Sequence, residues 1–106
     1  MCINTGGEKV FPEEVEEVLK LHPAVRDAVC VGIPDERFGE TICAVVEPSG
    51  ALGDVDSESV IAHVKTSLAP YKAPRNVVIV ETIGRSPAGK VDYKGLKALA
   101  IERLGR

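Results

Sequence analysis

The sequence predicts a small two-layer α+β domain: about three strands, mainly antiparallel, with helices packed over one face. Three observations predict it. Apolar residues recur at helical spacing in three separate segments, and two long β-branched runs flank a turn-rich connector. The third is size and composition: 106 residues, 44% apolar and 27% charged, make one ordinary globular domain with a single core. With two Phe, two Tyr and no Trp, that core has to be aliphatic.

The elements follow in order. Asn4-Thr5-Gly6-Gly7-Glu8 is a tight loop. Phe11, Val15, Val18 and Leu19 then recur at helical spacing and read as core. Pro12 suits the first turn of that helix, Glu13 and Glu14 complement its N-terminus, and Pro23 stops it. The run Glu13, Glu14, Glu16 and Glu17 reads as a solvated face. Residues 25–33 and 41–47 are β-branched-rich strands, and the connector over 34–40 makes them a long hairpin.

Residues 48–56 read as a loop, followed by a helix capped at Asp56 or Ser57 with Val60, Ile61, Val64 and Leu68 on its apolar face. Pro70-Tyr71-Lys72-Ala73-Pro74 breaks it and leads into a third strand over 76–80. Asp92 can cap a last helix carrying Leu96, Leu99, Ala100 and Leu104 on one face.

Several function classes recede at this level. A net charge of −3 argues against a nucleic-acid partner held by phosphate contacts. Nothing approaches the ~20 apolar residues of a membrane span, and no stretch reads as a signal peptide. Cys2, Cys30 and Cys43 are odd in number, and two lie in apolar runs, so they read as reduced thiols in a cytoplasmic setting. His22 and His63 lack metal-ligand spacing and read as residues on a helix surface or at a helix end.

The chemistry concentrates in two loops. Gly84-Arg85-Ser86-Pro87-Ala88-Gly89-Lys90 places a lysine on a Gly/Pro turn that presents its ammonium outward. Its Gly-x-x-x-x-Gly-Lys spacing resembles a phosphate-binding loop. Val91 replaces the hydroxyl residue that would hold Mg²⁺, and Pro87 removes an N–H donor from the cradle. A plain solvated turn is the other reading open on the residues alone.

Taken together, four motifs resemble the C-terminal domain of adenylate-forming enzymes: acyl-CoA synthetases, luciferases and peptide-synthetase adenylation domains. They are Gly6-Gly7-Glu8-Lys9-Val10-Phe11-Pro12 with Val15-Glu16; His22-Pro23-Ala24-Val25 with the stretch from Val31 to Glu40; Tyr71-Lys72-Ala73-Pro74-Arg75; and Arg85-Ser86-Pro87-Ala88-Gly89-Lys90. Their order and spacing cover essentially the whole chain, residues 1–106.

The resemblance implies a lid that rotates over a large N-terminal domain holding the ATP loop, its Mg²⁺ and the acyl pocket. Lys90 would be the cation inserted when a carboxylate attacks the α-phosphate of ATP. Gly6, Gly7 and Glu8 would line the channel by which coenzyme A delivers its thiol, with Lys9, Arg37 and Lys72 meeting its phosphates. Arg75 and Arg85 read as surface or interdomain residues. Val91-Asp92-Tyr93-Lys94 is similar to bacterial fatty-acyl and steroid-side-chain ligases, which implies a hydrophobic carboxylic acid. On this reading the chain is excised from a longer parent and is inactive alone. Two alternatives are the same domain in an enzyme that loads an acyl-carrier protein, and a stand-alone domain that binds a partner in trans.

Overall fold

The computed structural model describes residues 2–51 and 55–106. Two short strands open the chain, β1 (Ile3–Thr5) and β2 (Glu8–Val10), followed by α1 (Pro12–Leu19). The long pair β3 (Val25–Asp35) and β4 (Gly39–Pro48) comes next. After it come α2 (Ser57–Ser67), one turn of 3-10 helix (Pro70–Lys72), β5 (Asn76–Ile79) and α3 (Tyr93–Leu104). The loop expected over 48–56 includes residues 52–54, which lie outside the described residues.

The β3/β4 ladder is the spine. It runs antiparallel from Asp27 opposite Glu47 to Asp35 opposite Gly39, with one irregularity between Val25 and Asp27. Its turn is tighter than the connector suggested, because Pro34 and Glu40 still pair. Asp35 closes that turn by accepting from the N–H groups of Arg37 and Phe38, both at 2.9 Å. On the other edge of β4, Thr5 of β1 meets Gly39, and β5 pairs with residues 43–46.

The α+β class therefore holds, with five strands where about three were expected. The extra two are β1 and β2, which the sequence presents only as a tight loop. Thr5 pairs with Glu8 around Gly6 and Gly7, whose φ angles are 58° and 88°. Successive positive φ values define the two-residue turn that matches strand twist, and paired glycines adopt it without strain. Pairing is mainly antiparallel. The exception is β5, which lies parallel to β4 because α2 carries the chain back across the sheet.

The layering differs from the expectation of helices over one face. Val15 and Leu19 of α1 and Val60 and Val64 of α2 pack with Ala28, Cys30, Ile42, Ala44 and Val46. On the opposite face, Ala100 of α3 packs with Val29, Val31, Ile33, Cys43 and Val45, flanked by the half-buried Leu96, Leu99 and Leu104. Three layers result, and residues 28–31 are apolar without alternation because both faces are covered.

Two single residues also depart from expectation. Phe11, read as core, is 57% exposed, because it precedes the helix as an extended N-cap at φ −88° and ψ 118°. Glu16, read as solvated, is 5% exposed and lies among the buried residues of α1 with Pro12, Val15 and Leu19.

Candidate functional site

Lys90 ends a compact turn. The Gly89 N–H donates to the Ser86 carbonyl at 2.8 Å, the Ser86 N–H to the Lys90 carbonyl at 2.9 Å, and the Lys90 N–H to Ser86 Oγ at 3.1 Å. Pro87 and Ala88 form the tip, and Gly89 takes φ 81°, as a three-residue hairpin of this type requires. Lys90 is exposed, and its ammonium has no ion pair or hydrogen bond among the described residues. An outward, unpaired point charge of this kind suits a phosphate-bearing ligand.

Both stems of the turn are attached to the body of the domain. Ahead of it, the Ile83 N–H donates to Glu47 Oε1 at 2.8 Å. Arg85 Nε donates to Asp27 Oδ2 at 2.7 Å and NH2 donates to Asp27 Oδ1 at 3.0 Å, while NH1 reaches the Gly89 carbonyl at 3.3 Å. Burial pushes the Asp27 carboxyl up, but hydrogen bonds from Arg85 and the Ala28 N–H, with the charges of Arg85 and Lys20, hold it below the usual carboxylate range. Behind the turn, Asp92 caps α3 by accepting from the Gly95 N–H at 3.0 Å. Tyr93 Oη donates to the Glu16 carboxylate at 3.0 and 3.1 Å, and Glu16 also accepts from the Cys30 N–H at 2.9 Å. Burial, then the Glu16 charge, pushes the Tyr93 hydroxyl up to about 12.

The Gly6-Gly7 turn stands at the other end of the spine. The Gly6 N–H donates to the Phe38 carbonyl at 2.9 Å, and a Cβ at Gly6 would stand 3.1 Å from the Phe38 ring. Phe38 lies between two cations, with Arg75 at 4.2 Å and Arg37 at 5.2 Å from its ring centre. An open groove of 650 Å³ runs past Gly6, Glu8, Phe38, Lys65, Tyr71 and Arg75.

Of the residues expected here, Gly6 and Glu8 line this groove and Gly7 completes their turn. Lys9 is exposed on β2, and Arg37 borders a neighbouring 680 Å³ cleft with Asp35 and Arg106. Lys72 is engaged elsewhere. Its ammonium donates to Glu14 Oε1 at 2.7 Å, which raises its pKa above the usual lysine value. Arg75 and Arg85, read as surface or interdomain residues, line the groove and brace the Lys90 turn respectively. No group of three or more His, Cys, Asp or Glu among the described residues could hold a metal ion.

The two sites lie at opposite ends of one ladder. Asp27 and Glu47 anchor the Lys90 turn, and Gly39 adjoins the Gly6 turn. Gly39 and Glu47 are eight positions apart on β4, roughly 26 Å at about 3.3 Å per residue.

Known proteins resemble this chain in sequence and architecture. A medium/long-chain-fatty-acid–CoA/3-oxocholest-4-en-26-oate–CoA ligase of Mycolicibacterium smegmatis is 52% identical over 103 residues, covering 97% of this chain and 18% of that protein. A 3-oxocholest-4-en-26-oate–CoA ligase of Rhodococcus rhodochrous is 54% identical over 100 residues, covering 92% and 17%. The solved Mycobacterium tuberculosis fatty acyl CoA synthetase matches with a TM-score of 0.87 at 33% identity, over 96% of this chain and 20% of that one. The chain thus spans roughly a fifth of the length of these relatives. Residues 14–90 match the AMP-binding enzyme C-terminal domain, and the chain belongs to that family.

Proposed function

We propose that residues 1–106 act as the mobile C-terminal domain of a cytoplasmic, AMP-forming acyl-CoA ligase acting on a hydrophobic carboxylic acid. The substrate class follows the ligases of fatty acids and 3-oxocholestenoate that resemble the chain. The observation that carries the reading is the unpaired ammonium of Lys90 on a braced turn, one spine-length from a glycine turn beside a groove.

ATP supplies the α-phosphate that the carboxylate attacks with loss of pyrophosphate, and coenzyme A supplies the thiol that then displaces AMP. Lys90 Nζ fits the first step. Carboxylate and phosphate repel, and charge builds on the phosphate oxygens in the transition state, so a fixed cation lowers that barrier more than it tightens substrate binding. The Gly6-Gly7 turn and the groove fit the second. Gly6, Gly7 and Glu8 border a path for pantetheine, and Lys9, Arg37, Lys65 and Arg75 offer cations to the nucleotide phosphates. Lys72 contributes less than the sequence implied, since Glu14 already neutralises it. The Mg²⁺ that accompanies ATP and the acyl pocket are assigned to an N-terminal domain, as the family resemblance implies.

The test uses the full-length protein carrying Lys90→Ala. Carboxylate-dependent ATP–pyrophosphate exchange should fall on the order of 10²-fold or more, while thioester formation from supplied acyl-adenylate persists. If exchange survives, Lys90 is a solvated turn residue and the reading fails.

A further inference from the structure

The hydrogen bonds inside the Lys90 turn give it shape but do not attach it to anything. Among the described residues Ser86 bonds to Gly89 and Lys90 alone, so the turn is a rigid unit on two stems. Arg85, on the stem just ahead of that unit, reaches across to the sheet. Two of its guanidinium nitrogens are spent on Asp27 and the third on the carbonyl of Gly89, the peptide that joins Gly89 to Lys90. Asp27 is itself fixed: it belongs to β3, and its Oδ1 accepts from the Ala28 N–H at 2.8 Å.

We propose that Arg85 is a positioning residue for Lys90. Its guanidinium ties the Gly89–Lys90 peptide to Asp27 and so sets where the ammonium stands on delivery. The inference rests on the adenylation role of Lys90 given above.

The bonding favours geometry as the purpose of this contact, because it is three-pronged. A planar fork can hold a carboxylate bidentately and keep a further N–H for the carbonyl, which a lysine cannot do. Tyr93 and Glu16 steady the second stem, but Glu16 is buried and Tyr93 half-buried against the body of the domain, so variants there mix positioning with folding.

The experiment uses the full-length protein with Arg85→Ala, Arg85→Lys, Asp27→Asn, Lys90→Ala and the double variant R85A/K90A. Pyrophosphate exchange, thioester formation from supplied acyl-adenylate and thermal melting are measured for each. Arg85→Ala should lower kcat for exchange by about 10²-fold with KM changed less than about twofold, the cost of misplacing a group by about an ångström. Thioester formation should hold, and thermal melting should show the variant folded at the assay temperature. Arg85→Lys should recover only part of the rate, and the double variant should be no slower than Lys90→Ala, because Arg85 acts through Lys90.

If Lys90→Ala lowers exchange and Arg85→Ala leaves it unchanged, the positioning role is overturned and the function stands. Equal losses in both half-reactions, or additive losses in the double variant, overturn it as well. If Lys90→Ala leaves exchange intact, both the inference and the function on which it rests fall.

Discussion

Glu16 and Thr41 are the two buried polar residues among those described, and they are treated in opposite ways. Glu16 has a backbone N–H and a tyrosine hydroxyl aimed at its carboxylate. Thr41 is 1% exposed, and its Oγ1 has no hydrogen-bond partner among the described residues. A buried hydroxyl left unsatisfied costs about 1–3 kcal/mol. Thr41→Val keeps the shape and the β-branching while removing that atom. It should raise the unfolding free energy by about 1 kcal/mol, read as a higher urea midpoint at unchanged m-value; a lower midpoint would show a concealed partner. Lys90 was legible as a candidate because glycine and proline around a lysine forbid a helix or strand interior. Arg85 was not, since its meaning lies in Asp27, a partner 58 positions away. Glu16 left a trace that was overlooked: it is four positions after Pro12 and three before Leu19, both buried.

At the scale of elements, the segment that follows α1 meets α2 through two histidines, His22 and His63, whose rings are 5.2 Å apart and nearly perpendicular. His22 Nδ1 accepts from the Ala24 N–H at 3.0 Å and its Nε2 pairs with Ser59 Oγ at 2.9 Å, while His63 Nε2 donates to the Val18 carbonyl at 2.7 Å. Burial first, and the His63 charge second, lower the His22 pKa from 6.5. The unfolded chain therefore takes up a proton near pH 6.5 that the folded chain resists, so stability falls as pH drops below that value. The melting temperature should decline from pH 7 toward pH 5, and His22→Asn, which keeps an acceptor for the Ala24 N–H, should flatten the decline. An unchanged slope would assign it to other groups.

The longer elements were the legible ones. Proline stops, β-branched runs and the Asp56 and Asp92 caps located them, and both caps form. The three-residue β1 and β2 were invisible, because three residues are too few to show a period of two. The second helical layer was hidden for a different reason. Residues 28–31 carry no polar alternation, and that absence was itself the mark of a sheet covered on both sides.

For the whole molecule, the decisive feature is the distance between its two candidate sites. Ten residues of β4 are paired to β3 and packed between helices, so the spine cannot shorten or fold to bring its ends together. Both ends cannot occupy one catalytic cleft at once. In a ligase working as proposed, each turnover then contains a rotation of the domain through solvent, there and back. That motion drags water. Added sucrose should slow full turnover in proportion to viscosity if the swing limits the rate, while leaving pyrophosphate exchange and the single thioester step nearly untouched. Equal slowing of all three would point to substrate diffusion instead. A rigid strand pair would thus set the tempo of the proposed reaction as well as its geometry: the two chemistries would take turns because a β-hairpin does not bend.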